Sequence, residues 1–220
     1  MKYELMIRSR AKSSESIVEK HSRFFSEFSK IPLPWGIGGA DIPEPPDPGS
    51  NLGAGISISK LLGKGISGRV YYVYRRELED LGMHDDFLDM SFNPEKVDYK
   101  QLVCEVLPTI IIAFNAYFVE VGDTEFCHVD FDAESAAGGD SRSRVYRIRP
   151  VFFLDNILCD RAFGLQPDVI ARRIENYVEK VMFINNGIYT VANSQPLRFE
   201  EADKLCWELK RMITGTITSH

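Results

Sequence analysis

The chain is poor in the residues and runs from which most recognisable chemistry is built. Its 220 residues include four cysteines, Cys104, Cys127, Cys159 and Cys206, and no two lie within 20 positions of each other. That spacing excludes a Cys-x-x-Cys redox pair and a zinc ribbon, and four thiols are too few for a disulfide scaffold. The four histidines, His21, His84, His128 and His220, are scattered, and no Gly-x-Ser-x-Gly elbow is present, so no nucleophile with its base is legible. Long apolar runs are lacking too. The stretch from Val106 to Val119 is broken by Pro108 and Asn115 and falls short of the roughly 20 apolar residues that span a bilayer. At the N-terminus polar and apolar residues alternate, where a signal peptide needs an apolar run. These absences predict a soluble, reduced, cytoplasmic protein that uses neither cofactor nor membrane.

Positive charge is also short. Against 32 Asp and Glu there are 26 Lys and Arg, a formal net charge of -6. A general nucleic-acid binder needs a cationic surface to release counterions from phosphates, so that class is disfavoured. An acidic chain suits a basic protein partner better. What is present is an ordinary globular mixture, 44% hydrophobic and 11% aromatic, ample for one core.

Periodicity predicts an α+β chain. Tyr3, Leu5 and Ile7 alternate as a half-buried strand, and Ile17, His21, Phe24, Phe25 and Phe28 then form one helical stripe behind a Ser16/Glu19 capping box. From Ile31 to Gly55, twelve of 25 residues are Pro or Gly. No regular element survives such a composition, but Trp35, Ile37 and Ile42 are superfluous in an idle linker, so residues 31–55 read as a loop docked on the core. Residues 70–74 read as a strand, and so do 126–131 and 145–153. A helix is expected over about 98–118, kinked or split at Pro108, and another over 167–177. Asn185-Asn186-Gly187 marks a hairpin between 178–184 and 188–191, with Asn-Gly supplying the left-handed residues of the turn, and a last helix starts near Phe199 with Ala202, Leu205, Cys206, Leu209 and Met212 on one stripe. The expected architecture is a single domain over 1–220, with an antiparallel or mixed sheet packed on two or three long helices.

Catalytic motifs are suggested and then fall away. Gly63-Lys64-Gly65-Ile66-Ser67-Gly68-Arg69-Val70 fits a kinase glycine loop, but no Val-Ala-x-Lys, His-Arg-Asp or Asp-Phe-Gly follows. Pro-Asp dipeptides at 46–47 and 167–168, with Glu208-Leu209-Lys210, mimic a nuclease site, yet Glu208 lies in a helical stretch. His128, Asp130 and Asp132 alternate along the expected strand. On one face they offer a metal-binding set for a small hydrolase, or simply the solvent side of a half-buried strand.

The charge pattern points to a binding surface. Between Glu77 and Asp98 there are eight carboxylates and one base, and between Glu120 and Asp140 seven and none. Arg142, Arg144, Arg147 and Arg149 follow directly. Such runs are commonly solvated surface. The alternative is a steered contact with a cationic partner, with Asp85, Asp86, Asp89, Asp123, Glu125, Asp130 and Asp132 as the contact acids and Trp35 as an aromatic anchor.

The segments Arg149-Pro150-Val151-Phe152-Phe153-Leu154-Asp155, Leu158-Cys159-Asp160-Arg161-Ala162-Phe163-Gly164-Leu165 and Asn186-Gly187-Ile188-Tyr189 resemble the immunity protein 52 family of bacterial polymorphic toxin systems. Phe114-Asn115-Ala116-Tyr117 and Trp35-Gly36 extend the resemblance weakly over most of the chain. It implies a non-catalytic cytoplasmic α+β protein that binds and neutralises a cognate toxin or effector, one with a nuclease-type domain.

Overall fold

A computed structural model describes residues 1–49, 51–126, 129–130 and 140–215. Eight strands form one sheet: β1 (Tyr3–Arg10), β2 (Gly53–Ser57), β3 (Ile66–Val73), β4 (Asp85–Phe92), β5 (Phe118–Asp123), β6 (Val151–Asp155), β7 (Lys180–Ile184) and β8 (Gly187–Val191). Their order across the sheet is β2-β3-β4-β1-β5-β6-β8-β7, every neighbour antiparallel. The α+β expectation holds.

Strand parity decides what each face meets. Tyr3, Leu5 and Ile7 of β1 share a core with Val70, Leu88, Met90, Val119, Phe153 and Tyr189. Two helices roof that face. α1 (Ile17–Phe28) begins at the expected capping box, Ser16 with Glu19, and buries Phe24, Phe25 and Phe28. α2 runs over 99–114 in three consecutive pieces, Tyr99–Gln101, a π-helical Leu102–Val106 and Leu107–Phe114.

The π-helical stretch is how the chain accommodates Pro108. Proline has no N–H, so the carbonyls of Val103 and Cys104, five and four residues before it, lose their helical donor. Tyr189 Oη donates to Val103 O and Lys180 Nζ to Cys104 O, at 2.7 Å for the lysine. The freed carbonyls are therefore satisfied from β8 and β7, and the helix neither breaks nor splits.

Among the described residues, helices with a shared apolar core cover the opposite sheet face at one end only. Phe152, Leu154 and Ile188 meet Leu158 of α3 (Asn156–Phe163), Ile170 and Ile174 of α4 (Pro167–Ile174), and Leu209 and Ile213 of α5 (Phe199–Thr214). Strands β6 and β8 are accordingly buried along their whole length. Over β2, β3, β4 and β1 no helix of this second layer is present among the described residues, and alternate side chains there are exposed or half-buried.

Local details correct three expectations. Glu125, Phe126, Val129 and Asp130 are helical rather than extended. Phe126 and Asp130, four apart, are buried together while Val129 is exposed, which is the spacing of a helix face. Within 145–153 only Val151 onward is strand. In the β7–β8 hairpin the left-handed residues are Asn185 and Asn186, at φ 49° and 58°. Gly187 is instead required by close approach, since a Cβ there would lie 2.4 Å from Leu154 O.

The proline-rich loop docks through its first part. Trp35 and Ile37 are buried, and Trp35 sits edge-on to Phe92 at 5.0 Å between ring centroids. Ile42 and Leu52 are exposed. His21 anchors the loop, its Nε2 2.7 Å from Pro43 O and its Nδ1 3.2 Å from Tyr72 Oη. No helix among the described residues is long and apolar enough to cross a membrane.

Candidate partner-binding face and the cavity beside it

The strand register lays out the uncovered face in rows. One row reads Ser57, Arg69, Asp89, Met6 and Glu120; the next reads Gly55, Tyr71, Phe87, Arg8 and Phe118. A third places Ser67, Ser91 and Glu4 together. Tyr71 and Phe87 are stacked at 4.8 Å and 16°. Arg69 lies 5.2 Å over the Phe87 ring and 3.0 Å from Asp89. These are half-buried to exposed side chains on a flat antiparallel face: aromatic surface interleaved with charge, the composition of protein contacts.

Beside the face, an irregular segment over 140–149, opening with a turn closed by Ser143 N to Asp140 O at 2.9 Å, is fastened by arginines. Arg142 donates to Asp85 at 2.8 Å, to Asp80 at 3.1 Å and to the His84 carbonyl at 2.9 Å. Arg147 holds both oxygens of Asp130 and reaches Asp203. Arg149 contacts Glu120 and Asp130 at 3.4 and 3.3 Å. Between this segment, Phe126 and the β1–β5 face lies a cavity of 280 Å³, whose walls include Arg8, Phe118, Ser141, Tyr146 and Arg149.

The residues expected at the contact separate into two groups. Asp89 stands on the open face, Glu125 is exposed, and Asp123 is half-buried at the end of β5, accepting from the Glu125 amide at 3.1 Å. Trp35, Asp85, Asp86 and Asp130 are buried, which corrects the expectation that they form surface. Asp86 takes both arms of Arg75 at 2.8 Å and the Val73 amide at 3.1 Å. Asp85 accepts from Tyr117 Oη at 2.6 Å, and burial pushes its carboxyl above the usual range despite Tyr117 and Arg142. These acids fasten loops to the sheet and present no acidic face.

Asp132 and His128 fall outside the described residues. Asp130, the one described member of the suggested metal set, has both oxygens engaged by arginine. No cluster of three or more His, Cys, Asp or Glu able to hold a metal occurs among the described residues. Arg8, Tyr71 and Phe87 were not singled out together from sequence. Their alternation within β1, β3 and β4 is visible there, but their adjacency depends on the strand order.

In fold, the chain is similar to the Pseudomonas aeruginosa T6SS protein PA0821, with a TM-score of 0.56 and 10% identity over 97% of this chain and 72% of that one. At that identity the likeness is one of fold. No protein-family model matches the chain, and no curated protein matches it by sequence. Fold and site together define an α+β protein with one eight-stranded antiparallel sheet and a half-open face.

Proposed function

We propose that this chain is an immunity protein, binding and neutralising a cognate bacterial toxin or effector in the cytoplasm of the producing cell without catalysis. The uncovered half of the sheet, with the stacked Tyr71 and Phe87 at its centre, is the observation that supports the reading. An antiparallel sheet whose second face has no covering helix over β2, β3, β4 and β1 among the described residues offers a broad, rigid docking surface. Acids exceed bases across its rows: Glu4, Asp89 and Glu120 against Arg8 and Arg69. That balance, with the net charge of -6, suits a partner that is basic at the contact, as the substrate groove of a nuclease is. The fold likeness to a T6SS protein is in keeping with an effector–immunity pair.

Co-expression with the product of the adjacent gene tests the reading. Rescue of growth together with a complex that survives purification is the expected result. An adjacent product that is not toxic and does not co-purify rejects it.

A further inference from the structure

The cavity of 280 Å³ is walled by more cations than carboxylates: Arg8, Arg144, Arg147 and Arg149 against Glu120, Asp130 and Asp140. Two of the three carboxylates are already saturated. Asp140 accepts from the Gly82 and Arg142 amides at 2.7 and 2.8 Å, and Asp130 is held through both oxygens by Arg147. Arg8 has only long contacts by comparison. Its Nη1 lies 3.5 Å from Ser141 Oγ and 3.7 Å from Asp85, an acid that Tyr117 and Arg142 already engage. Arg149 is more than nine-tenths buried, and its Nη1 has no hydrogen-bond partner among the described residues. Phe118, Phe126 and Tyr146 also line it; the Phe126 ring is covered by the Arg147 and Arg149 guanidiniums at 4.9 and 4.1 Å, which leaves Phe118 and Tyr146 as the aromatic wall.

Size and chemistry then select a class of occupant. An apolar void of about 150 Å³ is enough for benzene, so this cavity admits a ring with one charged substituent. A guanidinium fork matches the two oxygens of a carboxylate or a phosphate.

We propose that the cavity binds a small organic anion, a carboxylate or phosphate monoester on a flat apolar body, with Arg8 and Ser141 receiving the oxyanion and the aromatic wall the body. This site takes Arg8 and Phe118 from the far end of the row that carries Tyr71, and Met6 and Glu120 from the row beside it, but it does not depend on a toxin partner.

Calorimetric titration of the purified chain with benzoate, phenyl phosphate, inorganic phosphate and, as the cationic control, benzylamine tests it. Benzoate or phenyl phosphate should bind, and benzylamine should not. Arg8→Met should weaken binding at least about tenfold, the scale of one lost charge-assisted contact, while Arg69→Met, outside the cavity, leaves it unchanged. Absence of binding by both aromatic anions, equal binding by benzylamine, or undiminished binding by Arg8→Met overturns the proposal. Should Arg8→Met not fold, the arginine Nε–H signals of the wild-type chain serve instead. Benzoate or phenyl phosphate must shift the Arg8 signal, and a stationary signal overturns the assignment.

Discussion

Arg147 grips Asp130 through two parallel hydrogen bonds, Nε to Oδ2 at 2.7 Å and Nη2 to Oδ1 at 2.6 Å, with only 5% and 4% of the two side chains exposed. The same guanidinium lies 4.8 Å over the Trp207 ring and reaches Asp203 on α5. One arginine thereby ties the helical turn at Asp130 to the 140–149 segment and the last helix. Removing one partner of a buried pair leaves an uncompensated charge, which costs about 3–5 kcal/mol. Asp130→Ala should therefore lose about that much stability in urea unfolding followed by Trp fluorescence. The double variant Asp130→Leu with Arg147→Met should recover part of it. A hydrolase using Asp130 predicts the opposite, lost turnover with stability intact.

Lys20 gives the chain a pH signature. Its side chain is fully buried, donating to Ser9 Oγ and Phe114 O at 2.6 Å, and burial lowers its pKa to about 8 from 10.5. Between those two values the unfolded chain binds a proton that the folded chain does not. Stability contributed by this group therefore rises as pH climbs through 8, by at most about 1.4 kcal/mol per pH unit. Burial acts oppositely on Cys159 and Cys206, raising both to about 12. Their contribution is fully present below the ordinary thiol range near 9 and is lost above it. The window that separates the lysine from the thiols is pH 7.5–9, on the order of one unit either side of the lysine value; Lys210, whose pKa burial also lowers, adds to the rise in the same sense. Unfolding free energy should rise across it in the wild type, and Lys20→Met should flatten the rise. An unchanged slope in the variant would assign it to another group.

The β7–β8 turn separates two uses of glycine. Asn186 has φ 58°, so Asn186→Gly should be neutral or slightly stabilising, within about 0.5 kcal/mol. Gly187 packs so close to the β6 backbone that a Cβ would fall 2.4 Å from Leu154 O and 2.7 Å from Asp155 Cα. Gly187→Ala should cost about 1–3 kcal/mol, as overpacking does. Thermal unfolding of the two variants side by side decides the matter, and a harmless Gly187→Ala would mean that β8 can shift.

What was legible in the sequence was what is local. The Ser16/Glu19 box, the Phe24-Phe25-Phe28 stripe and the stripe of α5 declare themselves within three turns, and the structure has each. The 126–131 segment misled because its polar residues alternate. The competing helical signal was the Phe126–Asp130 pair, a single i, i+4 match. Burial of the acids was illegible for another reason. Asp86 meets Arg75 at a separation of 11 residues, Asp130 meets Arg147 at 17 and Asp85 meets Arg142 at 57. A charge census along the chain cannot tell a solvated carboxylate from one whose arginine arrives by tertiary folding. The open face was hidden likewise, since its rows join β1 to β4 and β5.

Asp89 and Asp86 stand three residues apart and should answer differently to mutation. Asp89 faces the open side beside Arg69, its side chain 24% exposed, whereas that of Asp86 is wholly buried on Arg75. Asp89→Arg removes an exposed pair, so stability should change by no more than about 1 kcal/mol. Association with a basic partner should slow about tenfold at low salt, with the difference narrowing as ionic strength rises. Asp86→Asn strips Arg75 of its counterion inside the protein and should cost about 3–5 kcal/mol, while the folded fraction keeps the wild-type association rate. Stopped-flow association at two salt concentrations, paired with urea unfolding, reads both effects. Equal association rates for the wild type and Asp89→Arg would place the partner away from this face.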